Sequence, residues 1–486
     1  MLTASACSGA AATTGGPPLT SIAPPATATP GPPALRLGLC LDTVPAGARC
    51  GTLAVPLDYA DPSKGAIRIR VISVPAKDPT HRIGSLLVNP GGPGASGVRF
   101  VEEAISLFAT LNQRFDIVGF DPRGTADPNP VSCEDTAALD HVVAVDPIVD
   151  DPSEQQDLIA TSERFAQACQ QKSGALLPYV GTDNVARDMD ALRAALGDNK
   201  LTYLGFSYGS AIGTQYSALY PTHIRALALD GDIDPSTDLL LQGAQQADGF
   251  QRNYQEFLAR CAAQSSCPLG PDPNAAIITL LSNLDAHPVP VPDGRTVGRG
   301  VALLALAGSL YDPGAWSALY SVWARAVHGD VTGLLAVSDA YTGRQPGGYD
   351  HSLESGTAIT CVDQATPTDI ATLEARVAPL QTRDPLFGGA ALYGLLPCAY
   401  WPVRGQPAAP VDITAAPPIL LVGGTNDPAT PYVWAQALHR QIRGSVLLTR
   451  DGFGHPSYDH SACIAAKVDA YLVDGILPAA GTVCSS

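Results

Sequence analysis

Leu201-Thr202-Tyr203-Leu204-Gly205-Phe206-Ser207-Tyr208-Gly209 runs from an apolar strand straight into a G-x-S-x-G pentapeptide. A sharp strand-to-helix turn at this point lifts the serine hydroxyl out at the top of a sheet. The flanking glycines tolerate a strained backbone and the close approach of the following helix. Ser207 is therefore the candidate nucleophile. The pentapeptide alone also fits an ordinary turn in a glycine-rich chain, so the reading depends on partners further along the sequence.

Two later strand ends supply those partners. Ile419-Leu420-Leu421-Val422 leads into Gly423-Gly424-Thr425-Asn426-Asp427, and Ser445-Val446-Leu447-Leu448 leads towards Gly452-Phe453-Gly454-His455. A serine hydroxyl is a poor nucleophile until an imidazole takes its proton. The imidazole in turn needs a carboxylate to fix its tautomer. The chain order Ser207, Asp427, His455 is that of the α/β-hydrolases. Asp427 could instead cap the segment after Pro428. Asp232 and Asp234 are rival acids behind Ala226-Leu227-Ala228-Leu229, and His460, beside Asp459, is a rival histidine. Asp427 is preferred because its strand immediately precedes the one that carries His455.

Ser85-Leu86-Leu87-Val88 opens onto Asn89-Pro90-Gly91-Gly92-Pro93-Gly94. A glycine loop here can aim the Gly92 backbone N–H at a developing oxyanion, with the Tyr208 N–H as the second donor. Gly92 to Gly97 also matches the dinucleotide fingerprint G-x-G-x-x-G, with Asp116 further on. Pro90 and Pro93 deprive such a loop of the donors a pyrophosphate needs, and a dehydrogenase would leave Ser207, Asp427 and His455 unexplained. No cofactor is expected.

The chain has 486 residues, enough for a large core and more than one domain; 45% are hydrophobic and 15% charged, which excludes a disordered chain. The net charge of −17 argues against a nucleic-acid partner and against docking on an anionic membrane. No apolar run reaches the ~18 residues of a membrane span. Ala4-Ser5-Ala6-Cys7 resembles the end of a bacterial lipoprotein signal, although the charged and apolar parts of a signal peptide are missing. Cys7 is thus a candidate lipidation site, with any membrane attachment through an N-terminal lipid only. Residues 8–34, rich in Pro, Ala and Thr, read as a tether. There are 11 cysteines, so setting Cys7 aside leaves an even number. Neighbours suggest the pairs Cys40–Cys50, Cys133–Cys169, Cys261–Cys267, Cys361–Cys398 and Cys463–Cys484, though sequence does not fix connectivity. None forms a C-x-x-C metal or redox pair, and no metal is expected. A disulfide set of this kind implies export, to the cell envelope or beyond; the alternative is ten buried free thiols in a cytosolic enzyme.

Strand-like runs at 52–58, 67–74, 84–89, 115–120, 201–205, 225–230, 418–422 and 445–449 alternate, after the first two, with helical patterns. The expected fold class is an α/β-hydrolase with an eight-stranded, mostly parallel sheet. Val185, Met189, Leu192 and Leu196 form the packing stripe of one helix. The whole stretch 208–426 separates serine from acid, while only 428–454 separates acid from histidine. The excess implies a large, mainly helical inserted cap. The expected divisions are a tether at 1–34, a first core segment at 35–235, the cap at 236–410, with helical stretches at 242–260 and 301–327, and a second core segment at 411–486. A cap at this point covers the strand ends that carry the candidate triad and shapes access to them.

With these residues placed, the chain resembles the tripeptidyl aminopeptidase branch of the proline iminopeptidase-like α/β-hydrolases. The likeness rests on Val55-Pro56-Leu57-Asp58-Tyr59, the 89–94 loop, Gly119-Phe120-Asp121-Pro122-Arg123-Gly124, Gly205–Gly209, Leu229-Asp230-Gly231 and the stretch from Asn426-Asp427-Pro428-Ala429-Thr430-Pro431 to Cys484. It departs from the family pattern at Gly454-His455-Pro456-Ser457, where glycine more usually comes after the histidine. The resemblance implies an exported, monomeric serine exopeptidase that acts on peptides at their free N-termini through an acyl-enzyme. Such an enzyme needs cap groups to hold an ammonium, and Glu354 and Asp363 are the candidates. A secreted carboxylesterase or lipase with the same triad, and a catalytically silent binding protein on this fold, are the alternatives.

Overall fold

Gly84–Asn89 and Leu201–Phe206 are buried at every position, which is the signature of strands covered on both faces. They lie side by side at the centre of the sheet. The structure, a computed structural model of the chain, describes residues 35–40, 44–126 and 128–485; Cys7 and the tether lie outside them. Among the described residues ten strands form one sheet: β1 (Arg36–Leu39), β2 (Arg49–Pro56), β3 (Ala66–Val74), β4 (Gly84–Asn89), β5 (Phe115–Phe120), β6 (Leu201–Phe206), β7 (Ile224–Asp230), β8 (Leu420–Asn426), β9 (Val446–Phe453) and β10 (Val483–Ser485). The eight strands expected from the sequence are all present. The two additions, β1 and β10, are short edge strands.

The spatial order is β1-β2-β3-β5-β4-β6-β7-β8-β9-β10. β1, β2, β3 and β5 pair antiparallel, and every pair from β5–β4 onward is parallel. The α/β-hydrolase fold is therefore the observed one. Alternation along the strands splits the core between the two faces. Leu87, Tyr203, Leu227 and Leu421 pack with the helices Thr182–Ala195 and Tyr208–Leu219. Leu86, Val88, Leu204 and Val422 pack with Gly97–Ala104 and Ala462–Asp474.

Between β7 and β8 the chain forms a helical layer with its own core, built around Phe257, Leu306, Trp316 and Trp323. The expected helix at 242–260 is Leu239–Ala262. The expected stretch 301–327 is two helices, Arg299–Ser309 and Trp316–Val327. Asp312-Pro313-Gly314 separates them, because proline and glycine both disfavour a helix interior. An earlier part of the chain joins this layer. Helices Thr136–Ala144 and Pro152–Ser173 place Ala144, Leu158 and Ile159 in the same core. Arg299 ties the two segments together through Asp146, Asp150 at 2.8 Å and Glu154 at 3.1 Å. All five suggested cysteine pairs are disulfides. No helix among the described residues is long and apolar enough to cross a membrane.

Candidate active site

Ser207 sits between β6 and the helix Tyr208–Leu219 with φ 55° and ψ −124°, a conformation that is costly for a side chain other than glycine. Its own N–H donates to Asp230 O at 2.8 Å, which ties the turn to the next strand. A Cβ on Gly209 would come within 2.8 Å of Asn89 O, and one on Gly91 would come within 2.5 Å of Phe206 O and 2.8 Å of Tyr208 N. The 89–94 loop therefore lies directly against the elbow, as the oxyanion reading requires. Gly92, Tyr208 and Ser207 line one cavity. Tyr208 is the first residue of its helix, so its N–H has no acceptor within the helix.

Asp427 and His455 meet at the adjoining strand ends. β8 and β9 lose register between Gly424 and Asn426, and this irregularity turns the chain just before Asp427. His455 Nδ1 donates to Asp427 Oδ2 at 2.8 Å, with both side chains buried. Asp427 Oδ1 accepts the backbone N–H groups of Ala429 at 2.9 Å and Thr430 at 2.8 Å. The carboxylate thus caps the segment after Pro428 and orients the histidine at once, one oxygen for each. Burial pushes the His455 imidazolium down. The Asp427 charge and hydrogen bond, helped by Asp230 and Asp459, outweigh burial and leave it above the ordinary histidine value. Ser207 and His455 line a second, larger cavity together.

The rival groups do other work. Asp232 is buried with no hydrogen-bond partner among the described residues; burial and the charges of Asp230 and Asp427 push it far up, which makes it a poor anion for an imidazolium. Asp234 accepts Ser236, Thr237 and Gln441. His460 stands 3.7 Å from Asp312 and 3.8 Å from Asp459.

Two groups that sequence reasoning missed support His455. The Thr430 hydroxyl donates to Asp427 Oδ2 at 3.0 Å and lies 3.2 Å from His455 Nδ1. Its position three residues after an acid, a turn-forming spacing, was the available signal. Asp230 is buried and accepts Ser457 N at 3.0 Å and Tyr458 N at 2.7 Å, so it holds the loop just beyond the histidine; burial lifts its carboxyl to about 7.

The two cap candidates part company. Glu354 is buried; it accepts the backbone N–H groups of Cys133 and Glu134 and pairs with His351 at 2.9 Å. It is not part of the lining of either cavity at Ser207. Asp363 does line the smaller one, of about 280 Å³, with Gln364 beside it. Asp363 accepts Thr182 N at 2.7 Å and the Thr182 hydroxyl, and burial lifts it to about 6. Gln364 Oε1 is buried and without a partner among the described residues. The larger cavity, about 690 Å³, has a charged rim that includes Arg99, Asp339, Arg344 and Asp350.

A family model described as TAP-like protein matches residues 384–484, the stretch that carries Asp427 and His455. Over 468 residues the chain is 39% identical to Serine protease Hip1 of Mycobacterium tuberculosis, covering 91% of this chain and 88% of that protein. The chain belongs to the TAP-like α/β-hydrolase family. It is an enzyme, a serine hydrolase. The chain is also similar to Tripeptidyl aminopeptidase of Streptomyces lividans, 32% identical over 91% of this chain and 84% of that one, and to Carboxylesterase B of Mycobacterium tuberculosis, 35% identical over 90% and 86%.

Proposed function

We propose that this TAP-like hydrolase is a serine exopeptidase that cuts peptides near a free N-terminus. The observation that carries the reading is the asymmetry around Ser207. On one side stands a small cavity lined by Asp363, a carboxylate, and Gln364. On the other is a larger cavity with a charged rim. The first suits a buried ammonium, which must be paired; the second suits the departing peptide. Relatives named as a serine protease and a tripeptidyl aminopeptidase support the same class.

In this reading His455 Nε2 takes the Ser207 proton as Oγ attacks the substrate carbonyl. The resulting oxyanion accepts the N–H groups of Gly92 and Tyr208. The C–N bond then breaks, His455 returns the proton to the leaving amine, and an acyl-enzyme remains for water to hydrolyse by the same steps. Asp427 holds the imidazole through Nδ1 and stabilises its charged form. Residues 236–410 act as the cap, joined by the helices of 136–173. The five disulfides support an exported protein; in this reading Cys7, from its sequence context alone, is the point of lipid attachment.

A tripeptide amide with a free amine should be cleaved far faster than its N-acetylated twin. Acetylation removes the charge that Asp363 would pair with and adds bulk in the smaller cavity. Equal rates would overturn the exopeptidase reading. Faster cleavage of simple esters than of any free-amine peptide would support the second reading, an esterase, which the similarity to Carboxylesterase B favours.

A further inference from the structure

A third cavity, of about 370 Å³, lies within the helical layer. No charged side chain lines it. Val143, Leu158 and Phe165 come from the earlier segment; Phe250, Leu303 and Phe387 come from the inserted helices. Several polar groups in the wall are already paired within the protein. The Thr342 hydroxyl donates to Ser338 O at 2.8 Å and the Thr357 hydroxyl to Leu353 O at 2.9 Å. The Thr161 hydroxyl stands 3.1 Å from His141 Nε2, and the Gln246 amide donates to Ala429 O at 2.7 Å. The surface offered to an occupant is therefore mostly carbon.

This chamber borders both cavities at Ser207. Gln246 and Ala391 are common to it and the smaller one, and Leu304, Tyr341, Thr342 and Leu353 to it and the larger one. These shared walls place the chamber next to the space where the group to be cut sits. Size narrows the occupant. An apolar cavity of about 150 Å³ accepts benzene, and this one has more than twice that volume. One aromatic or branched side chain would leave it partly empty. A flexible hydrocarbon chain can fill it and gains stabilisation with each methylene buried.

We propose that the chamber binds a long, straight hydrocarbon chain carried by the substrate, so that the enzyme selects acylated over short-chain substrates. The proposal rests on the reading of Ser207 as nucleophile only for its kinetic arms. The chain could be the acyl part of an ester or a fatty-acylated side chain of a peptide; the chemistry seen by the chamber is the same.

Three measurements test it. First, Ser207→Ala protein is titrated calorimetrically with dodecanoate and with acetate; dodecanoate should bind and acetate should not. Second, p-nitrophenyl acetate, octanoate and dodecanoate are compared. In parallel, free-amine tripeptide amides containing lysine or dodecanoyl-lysine are compared. In at least one series kcat/KM should rise by about a hundredfold or more from the shortest chain to the longest. The series that responds identifies whether the chain arrives on an ester or on a peptide. Third, Ala307→Trp and Ala390→Phe, each at the chamber wall, should abolish the gain from the long chain and leave short-chain turnover and thermal stability unchanged. Absence of dodecanoate binding, no chain-length effect in either series, or a long-chain gain that survives both filling variants overturns the proposal. If free-amine peptides are not cleaved while long-chain esters are preferred, the exopeptidase reading falls and the chamber stands. If neither series is hydrolysed, the titration alone decides.

Discussion

Asp427–His455 and Asp188–Arg123 are both buried pairs of a carboxylate with a basic side chain, yet they are built for opposite ends. Arg123 is fully spent. Its Nε and Nη2 reach Asp188 at 2.6 and 2.5 Å, and its remaining N–H groups go to the carbonyls of Pro56, Leu57 and Tyr179. Asp188 also accepts the Tyr59 hydroxyl at 2.8 Å. This pair clamps the β2 exit loop, the loop after β5 and the helix Thr182–Ala195. His455 commits only Nδ1 to its acid, and its ring lines the cavity that holds Ser207. A pair with every donor used is a strut; a pair with one ring nitrogen kept for the cavity can move a proton.

The sharpest way to break this contrast is Ser207→Ala. It should lower turnover by roughly a millionfold with no loss of thermal stability, and it should abolish labelling by a fluorophosphonate. Labelling that persists would place the nucleophile elsewhere. Asp427→Asn should cost about ten-thousandfold in kcat, because an amide favours the wrong histidine tautomer; steady-state kinetics on any accepted substrate checks this. Arg123→Met should do the reverse. Leaving Asp188 buried without its cation should cost about 3–5 kcal/mol of stability in denaturant unfolding, while the folded fraction keeps its kcat.

The smallest effect is in pH dependence. His455 must be neutral to accept the serine proton, and its pKa is raised. The acid limb of kcat/KM for a simple ester should therefore lie above the ordinary histidine value, with activity lost as pH falls through it. Asp363 must be ionised to hold an ammonium, and its carboxyl is raised to about 6. A free-amine peptide should then show a further loss as pH falls through about 6, which the ester lacks. Identical profiles for the two substrates would remove Asp363 from substrate binding.

Much of this was legible in the chain. The runs 84–89 and 201–205 gave strands because strands buried on both faces are mostly apolar. The apolar runs that lead into Ser207, Asp427 and His455 placed all three at strand ends. The helical layer was half legible. Its inserted part follows from surplus length between serine and acid, but nothing local marks 136–173 as part of it, because amphipathic helices do not name the surface they cover. Glu354 and Asp363 looked alike as acids near Cys361. Only tertiary structure separates a carboxylate absorbed by the Cys133 and Glu134 amides from one at a cavity wall. Thr430 was overlooked for a similar reason, since a hydroxyl acquires its role from what folds against it.

The division of the helical layer between two distant parts of the chain bears on how the molecule is made. During synthesis, helices Thr136–Ala144 and Pro152–Ser173 leave the ribosome long before Arg299 and the helix Gly388–Tyr393 exist. Leu139 and Phe165 pack in the core of the first segment, but Leu158 and Ile159 have nothing to cover them until the inserted helices exist. Contacts this far apart in sequence form late and slowly. The hydrolytic centre, which needs Asp427 and His455 from beyond that point, comes into being only after the layer above it can close.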